Sequence, residues 1–148
     1  MCQYSSTKER VRTAKANVTV WKVVKTGKIK GYWAMFHDFA YEIGKTYKAR
    51  PQGRAFNDLI YVMRKTEADL SNCHPKHIIL EGEGFHSYRF RRDAETVANR
   101  AGSDRRIMKC VIPKESKYIE GFDMNDRFTI VSNRIKTTKV ELPQHIIT

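Results

Sequence analysis

The sequence predicts a single α+β domain, built mainly on an antiparallel sheet with two short helices. Three observations predict it. Short runs of β-branched and aromatic residues recur from Val18 to Leu142, separated by glycine, proline, asparagine and charged turns, as in strands joined by tight connections. Two stretches, one from Phe56 and one from Asp93, change to the three-and-four spacing of a helix face. The chain has 148 residues, 41% of them apolar, which suffices for one real core.

Residues 1–16 are polar, basic and poor in large apolar groups, and are expected to form a flexible arm, leaving residues 17–148 as the domain. Val18 to Lys25 is a strand bounded by Asn17 and the Thr26-Gly27 turn, with Lys28 to Phe36 as its hairpin partner and Gly31 as a bulge. Tyr41 to Tyr47 alternates around Gly44 as a short strand or extended turn. After the break at Arg50-Pro51-Gln52-Gly53-Arg54, Phe56, Leu59, Ile60 and Met63 form one helical face, with Asn57 or Asp58 in the first turn and Lys65 late to suit the helix dipole.

Ser71 to His77 reads as a loop. Within it Cys73, His74 and His77 make half of a zinc ligand set, but Pro75 extends the backbone and no fourth ligand lies near, so no metal is expected. His77 to Leu80 is a strand and Glu81-Gly82-Glu83-Gly84 the break after it. From Phe85 to Phe90 the chain alternates, sending Phe85, Ser87 and Arg89 one way and His86, Tyr88 and Phe90 the other. Asp93 is the expected N-cap of the second helix, Ala94, Val97, Ala98 and Ala101 its small apolar stripe, and Gly102 its stop. Arg106 to Ile112, Tyr118 to Gly121, Phe128 to Asn133 and Arg134 to Leu142 complete the strands, Pro113 and Pro143 ending the first and last.

The formal charge is +12, with an isoelectric point near 9.8, which favours polyanionic partners. No run of about 18 apolar residues is present, so no membrane span is expected. The basic N-terminus has no apolar core of a secretory signal. Cys2, Cys73 and Cys110 are an odd number without a close pair, which fits free thiols and a cytoplasmic setting, with packaging in a virion as the alternative. Walker, nucleophile-elbow and zincin signatures are missing, and the glycines of EGEGF sit between carboxylates that would repel a phosphate.

The opening strand VTVWKVV, the motifs YEIGKTY and GFHSYRF, the run CVIPKESKYIEG and the closing VSNRIK occur in that order. In this the chain resembles small uncharacterised proteins of gut Bacteroidales and their phages, and YEIGKTY and GFHSY are similar to a broader phage and prophage family of unknown function. The resemblance implies an accessory protein of phage or prophage origin and carries no catalytic residues. The segment from Arg50 to His77 falls outside it.

Three functions compete. Arg89, Arg91, Arg92, Arg100, Arg105 and Arg106 are dense and interleaved with Tyr88 and Phe90, which suits phosphate contacts with base stacking, so non-catalytic nucleic-acid binding without a cofactor is the leading expectation. Gly84 to Tyr88 is also similar to the histidine-bearing strand of ADP-ribosyltransferase-like folds. That likeness implies an NAD-using enzyme with His86 and Tyr88 holding the dinucleotide and Glu120 orienting its ribose. The third function is a protein-binding module whose positive charge meets an acidic surface of a host or virion protein. Convergence of the arginines on one solvent-facing patch would favour the first, and convergence of His86, Tyr88 and Glu120 the second.

Overall fold

The computed structural model describes residues 3–5, 12–26, 32–34, 40–48, 77–79, 84–123 and 125–144. Among these, twelve strands and one helix form a mainly antiparallel sheet with a helix on one face. The strands are β1 (Gln3–Ser5), β2 (Arg12–Thr13), β3 (Val18–Thr26), β4 (Tyr32–Ala34), β5 (Ala40–Tyr41) and β6 (Thr46–Lys48). They continue with β7 (His77–Ile79), β8 (Phe85–Tyr88), β9 (Arg105–Ile112), β10 (Lys117–Phe122), β11 (Phe128–Ser132) and β12 (Arg134–Glu141). The helix is α1 (Arg91–Ala101). The expected helix from Phe56, the Gly27 and Gly31 turn, Cys73 and His74 lie outside the described residues.

The main path across the sheet runs β6-β12-β9-β3-β8-β11-β10-β1-β7, with β2 on β10 and β4 and β5 attached through β3. Its axis is the β3–β9 pair, in register from Val18 opposite Ile112 to Lys25 opposite Arg105. Both strands are rich in β-branched and long apolar residues, one side of the pair is packed along its length, and the helix covers Val23 and Ile107 on the other. Val20, Val24, Met108, Cys110 and Ile112 face the larger cluster with Ile130, Ile135 and Tyr41. Val23 and Ile107 face the helix with Tyr88, Ala94 and Ala98. Each fully buried Ile or Met contributes about 1.5–3 kcal/mol of transfer free energy.

Three expectations about α1 and the N-terminus change. The helix begins at Arg91 with Phe90 as N-cap and no side-chain cap bond, so Asp93 serves in the first turn and not as the cap. Asp93 still acts favourably there, since a carboxylate in the first turn suits the helix dipole. Ala94 and Ala98 are buried while Ala101 is exposed, which shortens the expected stripe. Gly102 ends the helix at φ 136°, ψ 171°, a conformation open essentially to glycine alone. The 1–16 segment is not an arm apart from the domain in its described parts. Tyr4 pairs with Phe122 and Ile78, Arg12 pairs with Tyr118, and Ala14 is buried. Strand addition needs backbone groups and not apolar side chains, so a polar segment can close an open sheet edge.

Candidate nucleic-acid interface

Residues directly opposite each other on neighbouring strands share a face, so the register fixes which side each functional group occupies. Tyr88 lies opposite Trp21, on the helix-bearing face, and His86 two residues earlier shares it. Glu120 lies opposite Ile130, which lies opposite Ser87, and therefore projects to the other face. His86 and Tyr88 are only 3% and 6% exposed. Burial, with the charge of Asp123 second, raises the Tyr88 phenol above its ordinary pKa. The trio implied by the ADP-ribosyltransferase likeness is thus split by the sheet, because the glutamate is one residue out of phase with the histidine row.

The arginines from Arg89 to Arg106 do not gather on one patch either. Arg91 is bound to Glu95 at 2.6 Å and to Glu141, and its guanidinium stacks 5.1 Å from the Trp21 ring centre. Arg105 pairs with Asp104 at 2.7 Å. Arg106 donates to the Ser103 and Arg105 carbonyls, and Arg89 to the Thr19 carbonyl at 3.1 Å. Arg92 and Arg100 are exposed on α1, eight residues and roughly 12 Å apart along the helix axis. Tyr88 is too buried to stack on a base, whereas Phe90 is 51% exposed.

A denser cationic surface appears one layer down, on the helix-bearing side of β3, β9, β12 and β6. Across these strands Lys25 lies opposite Arg105, Lys109 opposite Lys139, and Arg134 opposite Lys48. Lys136 joins them in the row Thr19, Val111, Lys136, Thr46. Against these seven cations the same positions hold one acid, Glu141, and Asp104, next to the strand, pairs with Arg105. Lys139 at 2.8 Å, with Arg91 behind it, keeps the Glu141 carboxyl below its usual range. On the opposite side the same strands present Val, Ile, Met, Cys, Thr and Tyr, with Lys22 and Arg106 as the cations.

A β-bulge makes this segregation possible. The β12–β9 register shifts between Thr137 and Lys139, so Thr138 is the extra residue and Lys139 stays on the face of Lys136. Without the bulge Lys139 would enter the buried side and Val140 would leave it. Thr138 Oγ1 donates to the Lys109 carbonyl at 2.7 Å, which satisfies an acceptor where the ladder is interrupted. Sequence reading missed this surface because its cations come from four separated segments. The available signal was the alternation Arg134, Lys136 around Ile135 in the last strand.

Lys22 stands on the apolar side. Its ammonium donates to the His86 carbonyl and sits 5.8 Å from the Tyr41 ring centre. Burial lowers its pKa to about 8. Burial likewise pushes the adjoining Cys110 thiol up to about 12, which leaves it a poor nucleophile.

Among the described residues no helix is long and apolar enough to cross a membrane. No protein-family model, curated protein or solved structure matches the chain.

Proposed function

We propose that this is a non-catalytic accessory protein that binds nucleic acid through the cationic, helix-bearing face of its sheet. The observation that carries the reading is the gathering of seven cations on a single face, with like charges directly opposite at three points, Lys25 with Arg105, Lys109 with Lys139 and Lys48 with Arg134, where Asp104 meets Arg105 and Glu141 meets Lys139. A directly opposed like pair with no acid beside it, as at Lys48 and Arg134, disfavours the fold by about 0.2–1 kcal/mol, a penalty that a bound polyanion removes. Trp21, with Arg91 and Lys109 at 5.1 and 5.9 Å from its ring, ties the helix N-terminus into the same surface. A phage or prophage origin accords with the YEIGKTY and GFHSY likeness. Binding to nucleic acid measured across a salt series tests the reading. Four to six neutralised phosphates give a log–log slope of about −3 to −5, and absent or salt-insensitive binding overturns it. Pull-downs with and without nuclease separate this from capture of an acidic protein, which survives the nuclease.

A further inference from the structure

The cationic face carries an anion of its own. Glu141, on β12, lies opposite Ile107 and so projects among the cations of the helix-bearing side. Its two carboxylate oxygens go to different partners. One meets the Lys139 ammonium at 2.8 Å, and the other accepts from the Arg91 guanidinium. All three groups reach solvent, with side chains 26%, 57% and 33% exposed for Glu141, Lys139 and Arg91. A carboxylate that bridges two cations of a binding surface stands where two phosphate oxygens would make the same charge-assisted bonds.

Arg91 is held in place independently of Glu141. Its Nε donates to Glu95 at 2.6 Å, one helical turn on, and Glu95 is buried. Its guanidinium lies 5.1 Å from the Trp21 ring centre, and the same ring has Lys109 at 5.9 Å, directly opposite Lys139 in the sheet. With Nε tied and the group stacked, the part of Arg91 turned to the open surface is Nη1, the atom that Glu141 takes. A guanidinium fixed in this way is prepared for a phosphate. The two acids differ accordingly. Glu95 would strand a buried charge by leaving Arg91, whereas Glu141 can swing into water.

We infer that Arg91 and Lys139 form a phosphate subsite of the cationic face, which Glu141 fills in the free protein and leaves when a nucleic-acid backbone binds. The inference rests on the nucleic-acid reading above and adds to it a named phosphate position with an internal competitor. Each cation exchanges one anion for another, so the competition weakens binding without abolishing it.

The test measures binding of a labelled DNA single strand of about 20 nucleotides by fluorescence anisotropy. Glu141→Gln keeps the side chain's size and removes its charge, and is expected to tighten binding by about three- to tenfold. Glu42→Gln makes the same change in net charge, from +12 to +13, at an exposed acid whose amide donates to Tyr47 of the opposite side. It is expected to stay within about twofold of wild type. In an Arg91→Lys background, which keeps the charge and removes the fork, the gain from Glu141→Gln falls to within about twofold. One arm needs no variant: in nitrogen NMR of the wild type, bound probe shifts the Arg91 Nη resonances and leaves Nε, held by Glu95, in place. Equal gains from Glu42→Gln and Glu141→Gln, an undiminished gain beside Arg91→Lys, or Arg91 resonances unmoved by bound probe overturn the subsite and leave the cationic face standing. Weaker binding by a folded Glu141→Gln also overturns it, since the carboxylate would then be orienting Arg91 for the ligand. Failure of every form to bind the probe removes both the face and the subsite.

Discussion

The two faces of the β3–β9–β12 layer are made by alternate residues of the same strands, yet they have opposite chemistry. One collects Val20, Val24, Met108, Cys110, Ile112 and Ile135 in a dry cluster, and the other carries the opposed cations beside α1. A strand has no choice but to send successive side chains to opposite sides, so segregation this complete needs both correct spacing and a bulge where spacing alone would fail. The difference teaches that the charge of this protein is organised at the level of the sheet and not of any one sequence segment. Lys22 and Arg106 are the exceptions on the apolar side, and Lys22 leaves a titration signature there.

The largest expected effects ask whether both faces are packed. Ile107→Ala, under the helix, and Met108→Ala, on the opposite side, remove fully buried side chains. Each is expected to lower unfolding free energy by about 2–5 kcal/mol in chemical denaturation. A loss at Met108 alone would mean that α1 does not close its face, and the comparison would break.

Next in size is Lys22. Its folded pKa of about 8 lies below the ordinary 10.5, so between these values the unfolded chain holds the proton more tightly and stability rises with pH. From about pH 9 upward Cys110 acts with the opposite sign, because its folded pKa near 12 lets the unfolded thiol ionise first, and the raised phenols of Tyr41 and Tyr88 follow. The rise is therefore expected between pH 8 and 9. Lys22→Met abolishes it and stabilises the protein at pH 7 by about 1–2 kcal/mol after the lost bond to the His86 carbonyl is counted. Urea unfolding at pH 7, 8 and 9 reads both, and a flat wild-type profile would place the amine in water.

The smallest effect has the most informative sign. Lys48→Glu sets a carboxylate opposite Arg134 and is expected to raise stability by about 0.2–1 kcal/mol while weakening nucleic-acid binding. A destabilised variant would mean that the opposed cations are not in conflict.

Much of this fold was legible in the chain. The strand from Val18, the phase of Phe85 to Tyr88 and the glycine that stops α1 all follow from local alternation and turn chemistry, which sequence reports directly. The start of α1 was displaced to Asp93 because a carboxylate is the best N-cap in isolation, whereas Phe90 leaves β8 in extended geometry and joins the Phe122–Phe128 cluster. The strands within residues 1–16 were hidden because edge pairing uses the backbone. The arginine segment drew attention through its density, but density along a chain says nothing about partners. Glu141 neutralises Arg91 from 50 residues away, and Lys109 meets Lys139 only once two strands align.

The most direct test of the cationic face compares two double variants of equal charge. Lys48→Glu with Lys136→Glu alters the helix-bearing face. Arg12→Glu with Lys45→Glu alters exposed cations of the opposite side, Arg12 lying opposite Tyr118 and Lys45 over the Tyr47 ring. Each pair lowers the net charge by four, from +12 to +8. Anisotropy titrations with a single-stranded probe across a salt series are expected to show the first pair losing about tenfold or more in affinity, with a salt slope shallower by about 1–2, and the second staying within about twofold. Equal losses in the two pairs would show that net charge alone attracts the polyanion, and would contradict a binding face.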